Sequence, residues 1–391
     1  MLRIKKVRQI DMFFLLVMIA YAFDFGNIKY AIAWCFSAVY FLGNRMYERH
    51  KWRGIGKNYL LILKGITILF VITAILQIAN GFNSYAINEA IYYYTPLLLV
   101  IVYSQFSDAE EIESIMNYLF ALYIIVFLKN FSGQLTLANI RSISFVDSYS
   151  PFESELAFVF LIFECFYLYN SGKKTNAILS LILCVLSFKR ICMIVAISFF
   201  LFSKHLVKRK NIDKKIIILV TAFFVVVPII TCMMLNSQFE AWFYHTFHVT
   251  LYEATLSRSS RIEAVMNSGQ IKYGLGSVTT YLTKYLNTMH GSNFVSRSMH
   301  NDLVQMYLEC GIIGSTIFTY VYMKAAAVSR MSFVLMSYIF FECYFNHLFG
   351  AGCTHIWILT YLMMSVAGIT TKNKEIMEKK NGTNNSFYTN L

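Results

Sequence analysis

The sequence predicts an all-α integral membrane protein, and two features of its composition support this class. Hydrophobic residues make up 57% of the 391 residues and charged residues 14%, whereas a typical soluble domain carries about 25% charged residues. The apolar residues also form continuous runs, which are typical of membrane helices and differ from the alternating pattern of a membrane β-barrel. We therefore expect residues 1–391 to form a single polytopic membrane domain.

The chain contains about twelve apolar segments, and each is a candidate transmembrane helix because roughly 20 apolar residues cross a bilayer. These segments are 10–26, 28–43, 58–80, 88–104, 114–131, 152–170, 176–188, 190–204, 216–236, 300–323, 331–349 and 352–370. The shortest of them would cross where the bilayer thins locally. An even number of spans places both termini on the same side of the membrane.

The distribution of basic residues orients these segments. The segments predicted to face the cytoplasm hold 23 of the 34 lysine and arginine residues, as the positive-inside rule requires. Both termini are then cytoplasmic, and residues 237–299 form one large periplasmic loop. The net charge of +13 follows from this topology and from contact with anionic lipid of the bilayer, so a nucleic-acid partner is not expected. Residues 371–391 are polar and are expected to form a disordered cytoplasmic tail.

Residues 176–204 need a separate argument because Lys189 and Arg190 interrupt them. A single long helix would place both charges inside the membrane and would put flanking basic clusters on opposite sides. Two short helices, 176–188 and 190–204, avoid both problems by turning at an outward tip. The first would be about 20 Å long, shorter than a hydrocarbon core of about 30 Å. Arg190 is therefore expected to face a polar cavity, since a charge in lipid is costly.

The eight cysteines lie mostly within apolar segments, and the sequence contains no C-x-x-C motif. Buried thiols behave as small hydrophobic side chains, and the absence of paired spacing argues against zinc or redox chemistry. His245 and His248, three residues apart in the predicted loop, could hold a metal, but their aromatic neighbours favour a helix in the membrane interface. No metal and no other cofactor is therefore expected.

His300 and Asn301 stand where the predicted loop ends and the segment 300–323 begins. Asn301 or Asp302 can cap a helix that starts there. A helix N-terminus carries partial positive charge, which favours a neutral imidazole and nearby anions. A neutral histidine can accept a proton from a sugar hydroxyl. The alternative is a purely structural role for an interfacial histidine.

Four arginines lie in segments predicted to be on the same, outer side of the membrane: Arg141, Arg190, Arg258 and Arg261. A guanidinium group is permanently charged and offers several donors that match phosphate oxygens. If these arginines converge, they would hold a pyrophosphate. The alternative is that each pairs with a nearby carboxylate or extends to lipid headgroups.

Several short motifs occur in a fixed order between residues 130 and 370. They are Ser260-Arg261, Gly274-x-Gly276, His300-Asn301 and Glu309-x-Gly311-x-x-Gly314. This order resembles the signature of the O-antigen ligase/polymerase superfamily. Ser187 to Arg190, and Arg141 ahead of Ser150-Pro151, are similar to two further elements of that family. The sequence departs from the family pattern at Val265, Lys189 and Phe152, where the family has tryptophan, a small residue and asparagine. Gly311 and Gly314 are equally typical of close helix packing.

The resemblance implies a membrane glycosyltransferase of glycosyltransferase C-like architecture, in a bacterial inner membrane and with its active site on the periplasmic face. Its donor and acceptor would be glycans linked to undecaprenyl pyrophosphate. It would join repeat units into O-antigen, capsule or exopolysaccharide by inverting transfer without a metal. A chain-length regulator and a flippase are implied as partners.

The resemblance also implies roles for individual residues. His300 and Arg261 would be catalytic, with His300 as the general base. Arg190, Arg141 and Arg258 would bind the substrate pyrophosphate. The supporting motif positions are Asn301, Glu309, Gly311, Gly314, Gly274 and Gly276.

Two other functions remain open. An O-antigen ligase, which transfers the finished glycan to the lipid A core, shares these motifs, and we favour a polymerase because polymerases of this family are the more divergent. A transporter or flippase for lipid-linked glycans belongs to a different class. Transporters usually contain repeated halves and helices broken by glycine or proline. The sequence predicts neither feature, which favours an enzyme.

Overall fold

The protein is built from helices. The computed structural model describes residues 8–47, 56–134, 136–142, 151–170, 173–207, 212–255, 258–269, 271–290, 299–350 and 352–369. Within these ranges the structure is 82% helical and has no strands. The predicted all-α class is therefore confirmed.

The helices follow one another with short connections. Their bounds are α1 Gln9–Ala22, α2 Ile28–Tyr47, α3 Gly56–Asn80, α4 Tyr85–Phe106, α5 Ala109–Phe131, α6 Leu137–Arg141, α7 Leu156–Tyr169, α8 Lys174–Leu186, α9 Arg190–Leu206, α10 Lys214–Met234, α11 Ser237–Phe247, α12 Leu251–Ala254, α13 Arg258–Asn267, α14 Ser277–His290, α15 Asp302–Ala326, α16 Arg330–Phe345 and α17 Thr354–Ile369. Each of the twelve apolar segments overlaps one of these helices.

Four helices in the described residues are long and apolar enough to cross a membrane. They are α3 from Asn58 to Asn80, α4, α5 and α10. Together with the apolar composition, they indicate a helical membrane protein. The count of about twelve spans and the periplasmic position of residues 237–299 stay predictions. The predicted tail, residues 371–391, lies outside the described residues.

The predicted turn between two short helices is confirmed. Helix α8 ends at Leu186 and α9 begins at Arg190. The Ser187 hydroxyl donates to the Leu183 carbonyl over 2.8 Å, and Phe188 adopts a positive φ of 49°. A left-handed residue interrupts the helical hydrogen bonds and reverses the chain.

Connections that are distant in sequence meet at one end of the bundle, which we call the site end. There the Thr280 hydroxyl of α14 donates to the Asn83 side chain between α3 and α4. His347, between α16 and α17, contacts Asp302 at the start of α15. These contacts place the chain between α10 and α15 beside the turns of two helix pairs, α3/α4 and α16/α17.

The remaining connections between helices lie at the opposite helix ends. Arg8 donates to the Phe106 carbonyl at the end of α4 over 2.5 Å. Lys173, just before α8, forms an ion pair of 2.9 Å with Glu113 near the start of α5. The alternation of the two sets is the arrangement that antiparallel neighbouring helices produce.

The segment predicted as a large loop, 237–299, is itself mostly helical where it is described. Its helices α13 and α14 pack on α15 through a small apolar cluster that includes Ile262, Val265, Leu282 and Val304. This cluster is separate from the main core. It fixes α13 against the start of α15, where the candidate site lies.

One expectation about the helices is wrong. No glycine-broken helix was expected from the sequence, but α15 is interrupted at Gly311, where φ is 66° and ψ is −169°. This backbone conformation is essentially restricted to glycine because any β-carbon would clash with the main chain. Gly311 is therefore a break in the helix and not a packing position.

Candidate functional site

His300 occupies the turn that opens α15. It adopts a positive φ of 53°, and its side chain is half-buried. Asn301 follows as the N-cap, and its side-chain oxygen accepts the backbone N–H of Val304 over 3.0 Å. The predicted cap is confirmed for Asn301. The left-handed turn, which was not predicted, sets the direction in which the imidazole leaves the chain.

Arg258 and Arg261 lie one turn apart on α13, so both project from the same side of that helix. Both are half-buried, and both are charged neighbours of His300. The pKa of each guanidinium is lowered, mainly by burial, but an arginine stays protonated at physiological pH. The structure thus brings together the histidine and two of the four predicted arginines.

Asp302 and His347 form a buried ion pair beside His300. The Nδ1 atom of His347 lies 2.5 Å from Oδ1 of Asp302. The other oxygen, Oδ2, accepts the backbone N–H groups of Leu348 over 2.6 Å and Phe349 over 3.0 Å. Three donors on one carboxylate bind the loop before α17 to the start of α15.

The charge states of the two histidines differ. Burial alone would lower the pKa of His347, but the adjacent Asp302 carboxylate, helped by Glu89, raises that pKa to about 9. Burial lowers the pKa of His300 to about 4, and the positive charges of Arg261, His347 and Arg258 add to this effect. At neutral pH His347 is therefore a cation and His300 is uncharged.

The predicted neutrality of His300 thus has a different cause from the one proposed. The partial positive charge of the helix N-terminus was expected to keep the imidazole neutral. In the structure burial is the largest effect, followed by three full positive charges, whereas Asp302 acts in the opposite direction. The neighbours come from α13 and from the loop after α16, which are far from His300 in sequence.

Glu342 and Lys189 extend the charged cluster beyond the predicted residues. Glu342, on α16, accepts the Tyr338 hydroxyl over 2.7 Å and the Asn346 amide over 2.6 Å, and its charge acts on Arg258. Lys189 forms an ion pair of 2.9 Å with Glu155. The sequence carried a signal for Glu342, because a lone carboxylate in an apolar helix usually has a specific partner.

Arg190 and Arg141 lie on other elements than the arginines of α13. Arg190 is exposed at the first position of α9, and Arg141 is exposed at the end of α6. Neither is among the principal charged neighbours of His300 in the described part of the chain. At the tip between α8 and α9, the half-buried basic residue is Lys189.

Gly274 and Gly276 form a turn that packs against α3 and α4 near the site. Both have positive φ, 90° and 80°. A β-carbon on Gly276 would lie 2.7 Å from the backbone of Tyr85 and Ala86 at the start of α4, and one on Gly274 would lie 3.0 Å from the Thr73 α-carbon. Only glycine allows this turn to pack against both α3 and α4.

Glu309 and the break at Gly311 hold the same turn from the side of α15. A helix interrupted at Gly311 leaves the preceding carbonyls without their usual donors. The Leu308 carbonyl accepts from the Lys272 N–H over 2.6 Å, and the Glu309 carbonyl accepts from the Gly274 N–H over 2.9 Å. The motif residues Glu309, Gly311, Gly274 and Gly276 therefore tie the turn to α15 and to α3 and α4, and thereby support the helix that His300 precedes.

Further contacts complete that support. The Glu309 carboxylate accepts the Val278 N–H over 3.1 Å and the Gln305 side-chain amide over 3.2 Å. A β-carbon on Gly314 would lie 2.3 Å from that of Cys310 and 3.4 Å from Leu69 on α3. Gly314 is thus the member of the motif that acts as a packing position.

Comparisons with known proteins do not identify a family. No family model matches the chain, and no curated protein matches it. Within the described residues, no group of three or more His, Cys, Asp or Glu side chains is arranged to hold a metal ion. Any function must therefore be argued from the geometry of the site.

Proposed function

We propose that the protein polymerises glycan repeat units carried on undecaprenyl pyrophosphate, by inverting transfer at the periplasmic face of a bacterial inner membrane. The observation that carries the proposal is the position of an uncharged, half-buried His300 beside Arg258 and Arg261. The pairing of a neutral base with permanent cations suits a reaction in which an anionic group leaves as a hydroxyl attacks. The resemblance of the motifs adds support.

In this reaction the acceptor hydroxyl attacks the anomeric carbon of the donor sugar. The new bond joins the acceptor oxygen to that carbon, and the bond from the carbon to the pyrophosphate oxygen breaks. His300 takes the hydroxyl proton, and undecaprenyl pyrophosphate leaves with the electron pair. Arg258 and Arg261 stabilise the charge that develops on the leaving group.

The first prediction concerns glycan length in a deletion strain. The strain lacks the gene for this protein and expresses one variant at a time. We expect His300→Ala and Arg261→Ala to abolish long glycans, because the first removes the base and the second removes leaving-group stabilisation. His245→Ala, at an exposed histidine on α11, is the matched control and should restore the wild-type ladder. Gel profiles of surface glycans, with immunoblots for membrane insertion, provide the measurement.

The pattern in the deletion strain separates the alternatives. A polymerase defect leaves core carrying a single repeat unit. A ligase defect leaves core alone while lipid-linked polymer accumulates, and a flippase defect leaves single units in the inner leaflet. Normal ladders from both His300→Ala and Arg261→Ala would refute an enzymatic role for this site.

A further inference from the structure

The surroundings of His300 make it a weak base. The charged groups that face it are Arg258 and Arg261 from α13, Asp302 from α15, and His347 from the loop before α17. Three of these four carry positive charge at neutral pH. Burial of the imidazole, and after it these positive neighbours, disfavour the protonated form and lower the pKa of His300 to about 4. A base of this strength is poorly matched to taking a hydroxyl proton at neutral pH.

The cations have the arrangement of an anion site. Arg258 and Arg261 project from one side of α13, and α13 is fixed by Ile262 and Val265 in the small apolar cluster. His347 is held in its charged form by Asp302, 2.5 Å away. A second carboxylate, Glu89 on α4, also acts on His347. The cluster therefore carries permanent positive charge whether or not an anion is bound.

We propose that binding of a pyrophosphate group at Arg258 and Arg261 strengthens His300 as a base, so that the donor prepares the site for the acceptor. The bound anion would offset the two guanidinium charges next to the imidazole. An opposite charge within a few Å favours the protonated form. His300 would then accept a proton readily only when a pyrophosphate leaving group is present.

His347 has a defined part in this inference as a positioning residue. The positive charge of His347 opposes protonation of His300. Its Nδ1 hydrogen bond fixes the side chain of Asp302, which lies two residues after His300 in the chain. His347→Asn keeps a side-chain N–H near the Nδ1 position and removes the positive charge. This variant separates the electrostatic contribution of His347 from its hydrogen bond.

The inference rests on the proposed function, but it can be tested without catalysis. The experiment measures deuterium uptake at the C2–H of each imidazole by mass spectrometry over a range of pH, using the full-length protein in detergent. Inorganic pyrophosphate is the probe, at concentrations that saturate the heat signal of binding. We expect pyrophosphate to raise the pH midpoint of the His300 uptake curve by about 1–3 pH units. The midpoint of the curve for exposed His245 should not change.

The variants make the test specific. Arg261→Gln should show a higher His300 midpoint without pyrophosphate and a smaller further change with it. His347→Asn should also raise the midpoint without pyrophosphate, whereas a purely structural His347 would leave it unchanged in a folded variant. The proposal is overturned if saturating pyrophosphate leaves the His300 midpoint in place, or if pyrophosphate does not bind. A shifted midpoint in a protein that makes no glycan would instead refute the proposed function alone.

Discussion

At the scale of single residues, the chemistry of His300 depends on neighbours that the sequence does not place beside it. The motif predicted His300 and Asn301, and their position at the start of α15 agrees with it. His347, however, lies 45 residues from its partner Asp302, and Arg258 lies on a separate helix. No local sequence pattern predicts that these side chains lie together, because their positions depend on how α13 and α16 pack against α15.

A second prediction concerns the pH dependence of glycan transfer. Protonation removes the lone pair that His300 needs, so activity should fall as the pH drops through the pKa of His300. In the structure this pKa is about 4, so the proposed function places the acid limb of kcat/KM near that pH. The acid limb of kcat, which reports the donor complex, should lie at higher pH. Rates of repeat-unit transfer by purified protein provide both limbs, and two limbs near the ordinary histidine value of about 6.5 would contradict this account.

At the scale of elements, the broken helix α15 and the glycine turn form one supporting unit. The break at Gly311 frees the carbonyls of Leu308 and Glu309, and the chain around Gly274 supplies the donors. The family resemblance singled out the Gly274-x-Gly276 motif, and in the structure both glycines have a positive φ. The break was not predicted, because a glycine in an apolar helix is equally consistent with close packing.

A third prediction tests this supporting unit. Gly276→Ala places a β-carbon 2.7 Å from the backbone of α4 and strains a φ of 80°, which should cost about 1–3 kcal/mol. We expect the melting temperature in detergent to fall by at least about 2 °C. Gly133→Ala is the matched control, since nothing lies within 4 Å of its β-carbon. Equal melting temperatures for the two variants would show that the turn does not need glycine.

At the scale of the whole molecule, composition and hydropathy were sufficient to predict a helical membrane protein. A chain with 57% hydrophobic and 14% charged residues has few alternatives to a helical membrane fold. The turn at Lys189 was also predictable, since a helix with buried charge would have been costly. The packing of α13 and α14 on α15 was not predictable, because it depends on a small apolar cluster contributed by segments far apart in sequence.

The positions of the helix connections are consistent with the proposal that His300 faces the periplasm. All the charged neighbours of His300 named above lie at the site end of the bundle. At the opposite helix ends, Arg8 pairs with Glu111 and Lys173 pairs with Glu113. If the basic cluster around the N-terminus is cytoplasmic, as the positive-inside rule predicts, His300 faces the periplasm. A lipid-linked donor would then reach it from the outer leaflet.

The most direct test of the central claim is polymerisation by the purified protein in liposomes. The liposomes contain repeat units linked to undecaprenyl pyrophosphate, without nucleotide sugars or added metal, and products are resolved by size. We expect the wild-type protein and His245→Ala to form lipid-linked chains of several units, and His300→Ala to form none. Chains of normal length from His300→Ala, or no chains from the wild-type protein with its matching repeat unit, would contradict the account.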